Sequence, residues 1–233
     1  MQIKQIFLGI LIAITLNSCI NTIDGNGNVA HEKRNVAAFS KIDISGRFEV
    51  ILNQGKEASL EIEVDENLLE IIETKVNNNT LFISSTEPIG NAKVLKLYIT
   101  TVNLNDIDVS GAIELANKGV YETEKLEIEV SGAADIDLKL DVKNLFMEMS
   151  GASETTLSGS ANNFEIEISG AGDLDAKKLN TKNTTVDISG AGSAIVFAKQ
   201  TLNVNVSGAG SVQYKGNPKI KENVSGAGSV KKL

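Results

Sequence analysis

Carboxylates recur at fixed distances from a repeated Ser-Gly pair. Three positions before each glycine stand Asp43, Asp108, Glu129, Glu148, Glu167 and Asp187, then Asn205 and Asn223. Three positions after it stand Glu49, Glu114, Asp135, Glu154 and Asp173, then Ser193, Ser211 and Ser229. If the repeats stack, like charges lie near 5 Å apart, which costs about 1 kcal/mol per pair in bulk water and less in salt. A hard cation would remove that cost, so Glu129, Asp135, Glu148, Glu167 and Asp173 are candidate ligands for weak Ca²⁺ binding along the repeat. The alternative is a solvated acidic face that keeps the protein soluble. No other cofactor is expected.

Other chemistry is sparse. Asp173 follows Gly-Ala-Gly as in calcium-binding nonapeptide repeats, but the period of about nineteen here is not theirs. Asp135/Asp137 and Asp173/Asp175 are the acid–base material a glycosidase or lyase would need, yet such pairs also arise wherever a strand exposes one face. With no Trp, 3 Tyr and 7 Phe, platforms for sugar rings are few. "GNGNVA" at Gly25–Ala30 fits G-x-G-x-x-A but lacks the strand before and helix after that a dinucleotide site needs. His31 is the only histidine, too little for a zinc site or a nucleophile–base pair. No catalytic residue is assigned.

The element that must carry these columns is a strand repeat. The glycine of each Ser-Gly pair falls at Gly46, Gly111, Gly132, Gly151, Gly170, Gly190, Gly208 and Gly226, and the last seven are about nineteen residues apart. Two and four residues before each glycine the side chain is apolar, Glu222 excepted, and the residues between are polar. That alternation predicts strands with one buried face. One turn and two short strands cannot bury an apolar face alone, but stacked copies can. The expected fold is all-β: a right-handed parallel β-helix, or β-solenoid, of about 19-residue SGAG rungs, the hand following the general crossover preference. The glycines are corner residues, where positive φ is permitted. Over 40–233 roughly ten rungs and about 45 Å of rod are expected, with the 65-residue first gap holding about three.

Residues 37–109 are less regular. "DENLLEIIETKV", with Asp65 as N-cap and Leu68, Leu69 and Ile72 at helical spacing, predicts one short helix there. Residues 110–233 are the regular repeats of the same single domain. Lys231 and Lys232 would discourage edge-to-edge stacking of the last rung.

The N-terminus directs export. Lys4 precedes the apolar run Ile6–Leu16, and Leu16-Asn17-Ser18-Cys19 resembles a bacterial lipobox. The expectation is a lipoprotein signal peptide over 1–18, lipidation at Cys19, and a tether over 19–36. Cys19 is the only cysteine, so no intramolecular disulfide competes for it. The net charge of −8 repels phosphate backbones and excludes nucleic acid as a partner.

The lipobox, "GNGNVAHEKRNVAAFSKIDISGRFEVILNQG", "VDENLLEIIETKVNNNTLFIS" and the serial SGAG rungs together resemble the head GIN domain family of auto-transporter adhesins, exported lipoproteins of Bacteroidetes-type bacteria. The resemblance covers about 28–233 and implies a β-helical adhesin with no catalytic residues. No membrane-barrel segment follows the repeats, so self-export is not expected. The expected role is a non-catalytic lipoprotein of the outer membrane, surface-facing, that binds a protein or glycan ligand. A periplasmic envelope role and a β-helical carbohydrate-active enzyme are the alternatives.

Overall fold

The computed structural model describes residues 21–233, so the expected signal peptide over 1–18 and the expected lipidation site Cys19 lie outside the described residues. Fifteen strands form one continuous, folded sheet. They are β1 (Val29–Arg34), β2 (Lys41–Gln54), β3 (Ser59–Asp65), β4 (Ile72–Asn77), β5 (Thr80–Ser85), β6 (Leu95–Thr101), β7 (Asp106–Asn117) and β8 (Tyr121–Gly132). Then follow β9 (Asp135–Gly151), β10 (Glu154–Ile168), β11 (Asp173–Gly190), β12 (Ser193–Gly208), β13 (Ser211–Lys215), β14 (Lys219–Gly226) and β15 (Ser229–Lys232). Pairing is parallel from β2 through β7 to β15, the pattern of a solenoid.

The corner glycines stack in one column. Gly46 lies opposite Gly111, Gly111 opposite Gly132, Gly132 opposite Gly151, Gly190 opposite Gly208 and Gly208 opposite Gly226. Gly170 completes the column, because the Ala171 N–H donates to Gly151 O and the Ala191 N–H to Gly170 O. The Gly132 backbone has φ +114°, and a Cβ there would lie 2.6 Å from Gly111 O. Glycine at 132 is therefore required twice, by its dihedral and by the backbone stacked beneath it, whereas Gly170 has no positive φ and is required by the close backbone alone. Behind the corner the apolar columns are sealed: Ile42, Ile107, Ile128, Met147, Ile166, Val186 and Val204 are all buried.

The expected rung count differs from the structure. The rungs number eight corner layers, not ten, because β2 pairs directly with β7 from Lys41↔Asp106 to Leu52↔Asn117. The intervening chain holds no rungs; it folds back as a cap. β5 and β6 lie parallel on the two halves of β2, while β4 and β3 run antiparallel outside them and β1 lies antiparallel on β3. The reversal is local: Asn78 and Asn79 both have positive φ (47° and 67°), the two-residue hairpin geometry that Asn tolerates. Before the SGAG corner, ten strands follow one another from β4 to β14. Nine steps of about 4.8 Å give a rod of about 43 Å.

The expected helix is a single 3-10 segment, Glu66–Ile71, and Asp65 makes no side-chain cap bond to it. Ile72 belongs to β4 instead, where its β-branched neighbourhood suits a strand that completes the cap. The ordered fold also begins earlier than 37. The stretch read as tether contains β1, and Ile23 bridges to Ile89. Among the described residues no helix is long and apolar enough to cross a membrane.

Candidate functional site

Two sheet faces meet at the SGAG corner. Sheet A holds the strand segments before the glycine and sheet B those after it. On sheet A the outward acidic column is continuous: Asp43↔Asp108, Asp108↔Glu129, Glu129↔Glu148, Glu148↔Glu167 and Glu167↔Asp187, ending as Asn205 donates to Asp187. Burial pushes the Asp43, Asp108 and Glu129 carboxyls above their ordinary values, and neighbouring carboxylates add to it: Asp106 on Asp43, Asp43 on Asp108, Asp108 on Glu129. A cation stands beside the column rather than on it. Lys41 donates to Asp106 at 2.6 Å, and that bond raises the Lys41 pKa.

The five candidate calcium ligands are divided between the faces. Glu129, Glu148 and Glu167 are successive rungs of sheet A. Asp135 and Asp173 stand on sheet B, with Glu154 between them. Among the described residues no three His, Cys, Asp or Glu side chains are grouped to hold a metal ion. On sheet B, Asp173 accepts a hydrogen bond from Ser193, and Asp175 is ion-paired with Lys177. Burial raises the Asp175 carboxyl, but the Lys177 side chain and its backbone N–H outweigh this and leave it lowered. A lowered, paired carboxyl is poorly suited to act as a general acid.

His31 is not on a tether but on β1, with Nδ1 3.4 Å from Glu61 Oε1 and Nε2 3.9 Å from Glu63 Oε1. Glu63 also accepts the Tyr98 hydroxyl at 2.8 Å, and Lys96 pairs with Glu49 at 2.8 Å on the neighbouring columns. Of the "GNGNVA" glycines, Gly27 donates its N–H to Asp65 Oδ2 at 3.0 Å, and the stretch leads into β1 rather than a helix.

One feature was missed in the sequence. Seven residues before Gly151, Gly170, Gly190 and Gly208 lies a column of Asn144, Asn163, Asn183 and Thr201. Asn163 Nδ2 donates to Asn144 Oδ1 at 2.8 Å, Asn183 Nδ2 to Asn163 Oδ1 at 3.0 Å, and Thr201 Oγ1 to Asn183 Oδ1 at 2.8 Å. The signal was the same nineteen-residue spacing as the glycines. This ladder borders a groove of about 470 Å³ on sheet A, which also holds the half-buried Phe146, Glu127 and Thr185 and the exposed Glu165 and Asn203. A larger groove of about 760 Å³ on a different corner carries mixed charge, including Glu124, Asp141, Lys143 and Lys182.

The family described as "Putative auto-transporter adhesin, head GIN domain" matches residues 38–218. The chain belongs to this family. Its fold is similar to that of a "putative adhesin" from Bacteroides fragilis, with 26% identity and a TM-score of 0.85 over 91% of this chain and 100% of that one. A "putative lipid binding protein" from Parabacteroides distasonis has 22% identity and a TM-score of 0.75, with the same coverage of both chains. A "putative adhesin" from Parabacteroides merdae has 20% identity and a TM-score of 0.69 over 91% of this chain and 99% of that one. The last two likenesses concern the fold alone. No curated protein matches the chain.

Proposed function

We propose that this head GIN domain protein is a non-catalytic, lipid-anchored adhesin of the outer membrane that faces the cell exterior and binds an extended protein or glycan ligand on sheet A. The observation that carries the reading is the register of sheet A. Outward side chains repeat in columns at about 4.8 Å over eight layers, giving a long surface instead of a pocket. Beside the Asn ladder, Phe146 supplies one apolar contact within a row of amide, hydroxyl and carboxylate groups. A polymer can meet equivalent groups on successive rungs, and many weak contacts on one rigid scaffold then add through effective concentration. The carboxylate column keeps the face solvated. Family membership and the likeness to the Bacteroides fragilis protein support the reading.

The test is adhesion of purified protein to arrayed glycans and host matrix proteins, with Phe146→Ala and Asn203→Ala as paired variants. Loss of the captured ligand in both variants, with unchanged melting temperature, supports sheet A as the binding face. Capture that both variants leave intact contradicts it.

A further inference from the structure

From Ile23 onward the chain is hydrogen-bonded to the cap. The Ile23 N–H donates to Pro88 O at 2.9 Å, and the Gly90 N–H returns a bond to Ile23 O at 3.0 Å. The Gly25 N–H donates to Asn91 O at 2.7 Å, and the Asn91 N–H to Asp24 Oδ1 at 2.7 Å. Asn67 holds both sides of the next residues: its Nδ2 donates to Asp24 O at 2.9 Å, and its Oδ1 accepts the Asn26 N–H at 2.8 Å. Asp65, only 1% exposed, accepts the N–H groups of Gly27 at 3.0 Å and Lys93 at 3.2 Å, and from Val29 the chain is strand β1. These contacts all lie at the capped end of the rod. The C-terminal rung is the opposite end.

From this we propose that the N-terminal cap is seated directly against the bilayer, with no flexible tether, and that the rod stands with its C-terminal rung outermost. The proposal rests on the reading of Cys19 as the lipidated residue. From Cys19 to Ile23 is four residues, at most about 14 Å when fully extended. A flexible tether reaching to residue 36 would instead give a mean span of about 23 Å and let the rod tumble. With the short link, Asp24, Asn67 and Asn91 are held beside the headgroups, and exposed Lys231 lies roughly 40 Å along the axis from the cap. The membrane then adjoins one end of sheet A and leaves its length free.

The experiment uses the full lipidated protein in vesicles of phosphatidylethanolamine and phosphatidylglycerol that carry a headgroup nitroxide. The Cys19 thiol is consumed as a thioether, so Glu66→Cys beside the anchor loop, or Lys231→Cys at the far rung, supplies the single site for a fluorophore. Both side chains are exposed. The expected result is strong quenching at position 66 and little at 231, a several-fold difference that disappears when a flexible Gly/Ser segment is inserted after Asn21. Equal quenching at both positions overturns the seated orientation while the lipoprotein reading stands. An N-terminal peptide whose mass shows no diacylglyceryl group on Cys19 overturns the lipoprotein reading and this orientation with it.

Discussion

Asn163 Nδ2 donates to Asn144 Oδ1 at 2.8 Å, and Asn163 Oδ1 in turn accepts from Asn183 Nδ2 at 3.0 Å, so one side chain ties three rungs together. Asn163 is exposed, so water competes for both bonds. Asn163→Ala is expected to destabilise the protein by about 1 kcal/mol, at the modest end for two hydrogen bonds. Asn144→Ala, which loses one of the same two bonds, should be partly non-additive with it. Urea denaturation of the two single variants and the double variant checks this.

The corner glycines should be far less replaceable than glycines in open loops. Gly190 has φ +153° and a Cβ there would lie 2.5 Å from Gly170 O, whereas Gly119 (φ +77°) has nothing within 4 Å. Gly190→Ala is expected to cost about 3 kcal/mol or more, since backbone rather than a movable side chain must yield. Gly119→Ala should cost about 1 kcal/mol, the dihedral penalty alone. Thermal melts of the pair test the contrast.

Much of the solenoid was legible because its columns are periodic. The alternation around Gly111, Gly132 and Gly151 states which residues face inward, and stacking follows because no rung can bury itself. The cap was not legible as a cap. β3 and β6 alternate like any rung, but the chain reverses between β2 and β3 and again at Asn78–Asn79 between β4 and β5, where no SGA corner stands. Likewise Asp65 looks like an N-cap in sequence, but its carboxylate binds Gly27 and Lys93, contacts that depend on the folded-back N-terminal segment. The acidic columns were readable as columns. That Glu129 and Asp135 belong to different faces depends on the corner angle, which residue spacing does not contain.

A buried hydroxyl offers a stabilising change. Thr155 is fully buried and its Oγ1 has no hydrogen-bond partner, in a column otherwise made of Val50, Leu115, Ile136, Leu174, Ala194, Val212 and Val230. Thr155→Val keeps the shape and removes the orphan hydroxyl, so it should stabilise by about 1 kcal/mol. Chemical denaturation checks this.

The sheet A carboxylates give stability a direction with pH. Asp43, Asp108 and Glu129 have raised folded pKa values, so the folded state binds protons more readily than the unfolded chain. Their contribution is unfavourable at neutral pH and is relieved as pH falls through the raised values. Asp65 and Asp175 act oppositely. For Asp65, burial pushes the carboxyl up, but backbone N–H donors from Gly27, Lys93 and Val94 bring it below its usual value. The stabilisation from these two persists until pH falls into the low carboxylate range. Stability is therefore expected to rise as pH falls from neutrality toward the raised carboxylate values, until the lowered carboxyls begin to protonate. Glu129→Gln should raise the melting temperature at neutral pH and reduce the gain that acidification brings.

The last rung carries its own stop signal. β14 is exposed along its whole length, and Glu222 pairs with Val204 in a column whose other members are buried Ile, Met and Val. A charge at a core position discourages another chain from stacking on that edge. Glu222→Val is expected to convert a monodisperse protein into one that associates with rising concentration, measured by light scattering.

Under the proposed function the rod is displayed outside the cell as a binding surface. The most direct measurement is labelling of intact cells with a membrane-impermeant amine-reactive biotin, followed by capture and immunodetection of this protein. Exposed lysines such as Lys33, 83% exposed at its side chain, make the folded rod readily labelled without any need for proteolysis. Biotinylation of intact cells is expected at a level close to that after outer-membrane rupture. Labelling only after rupture would contradict it and assign the protein to the periplasmic side of the envelope.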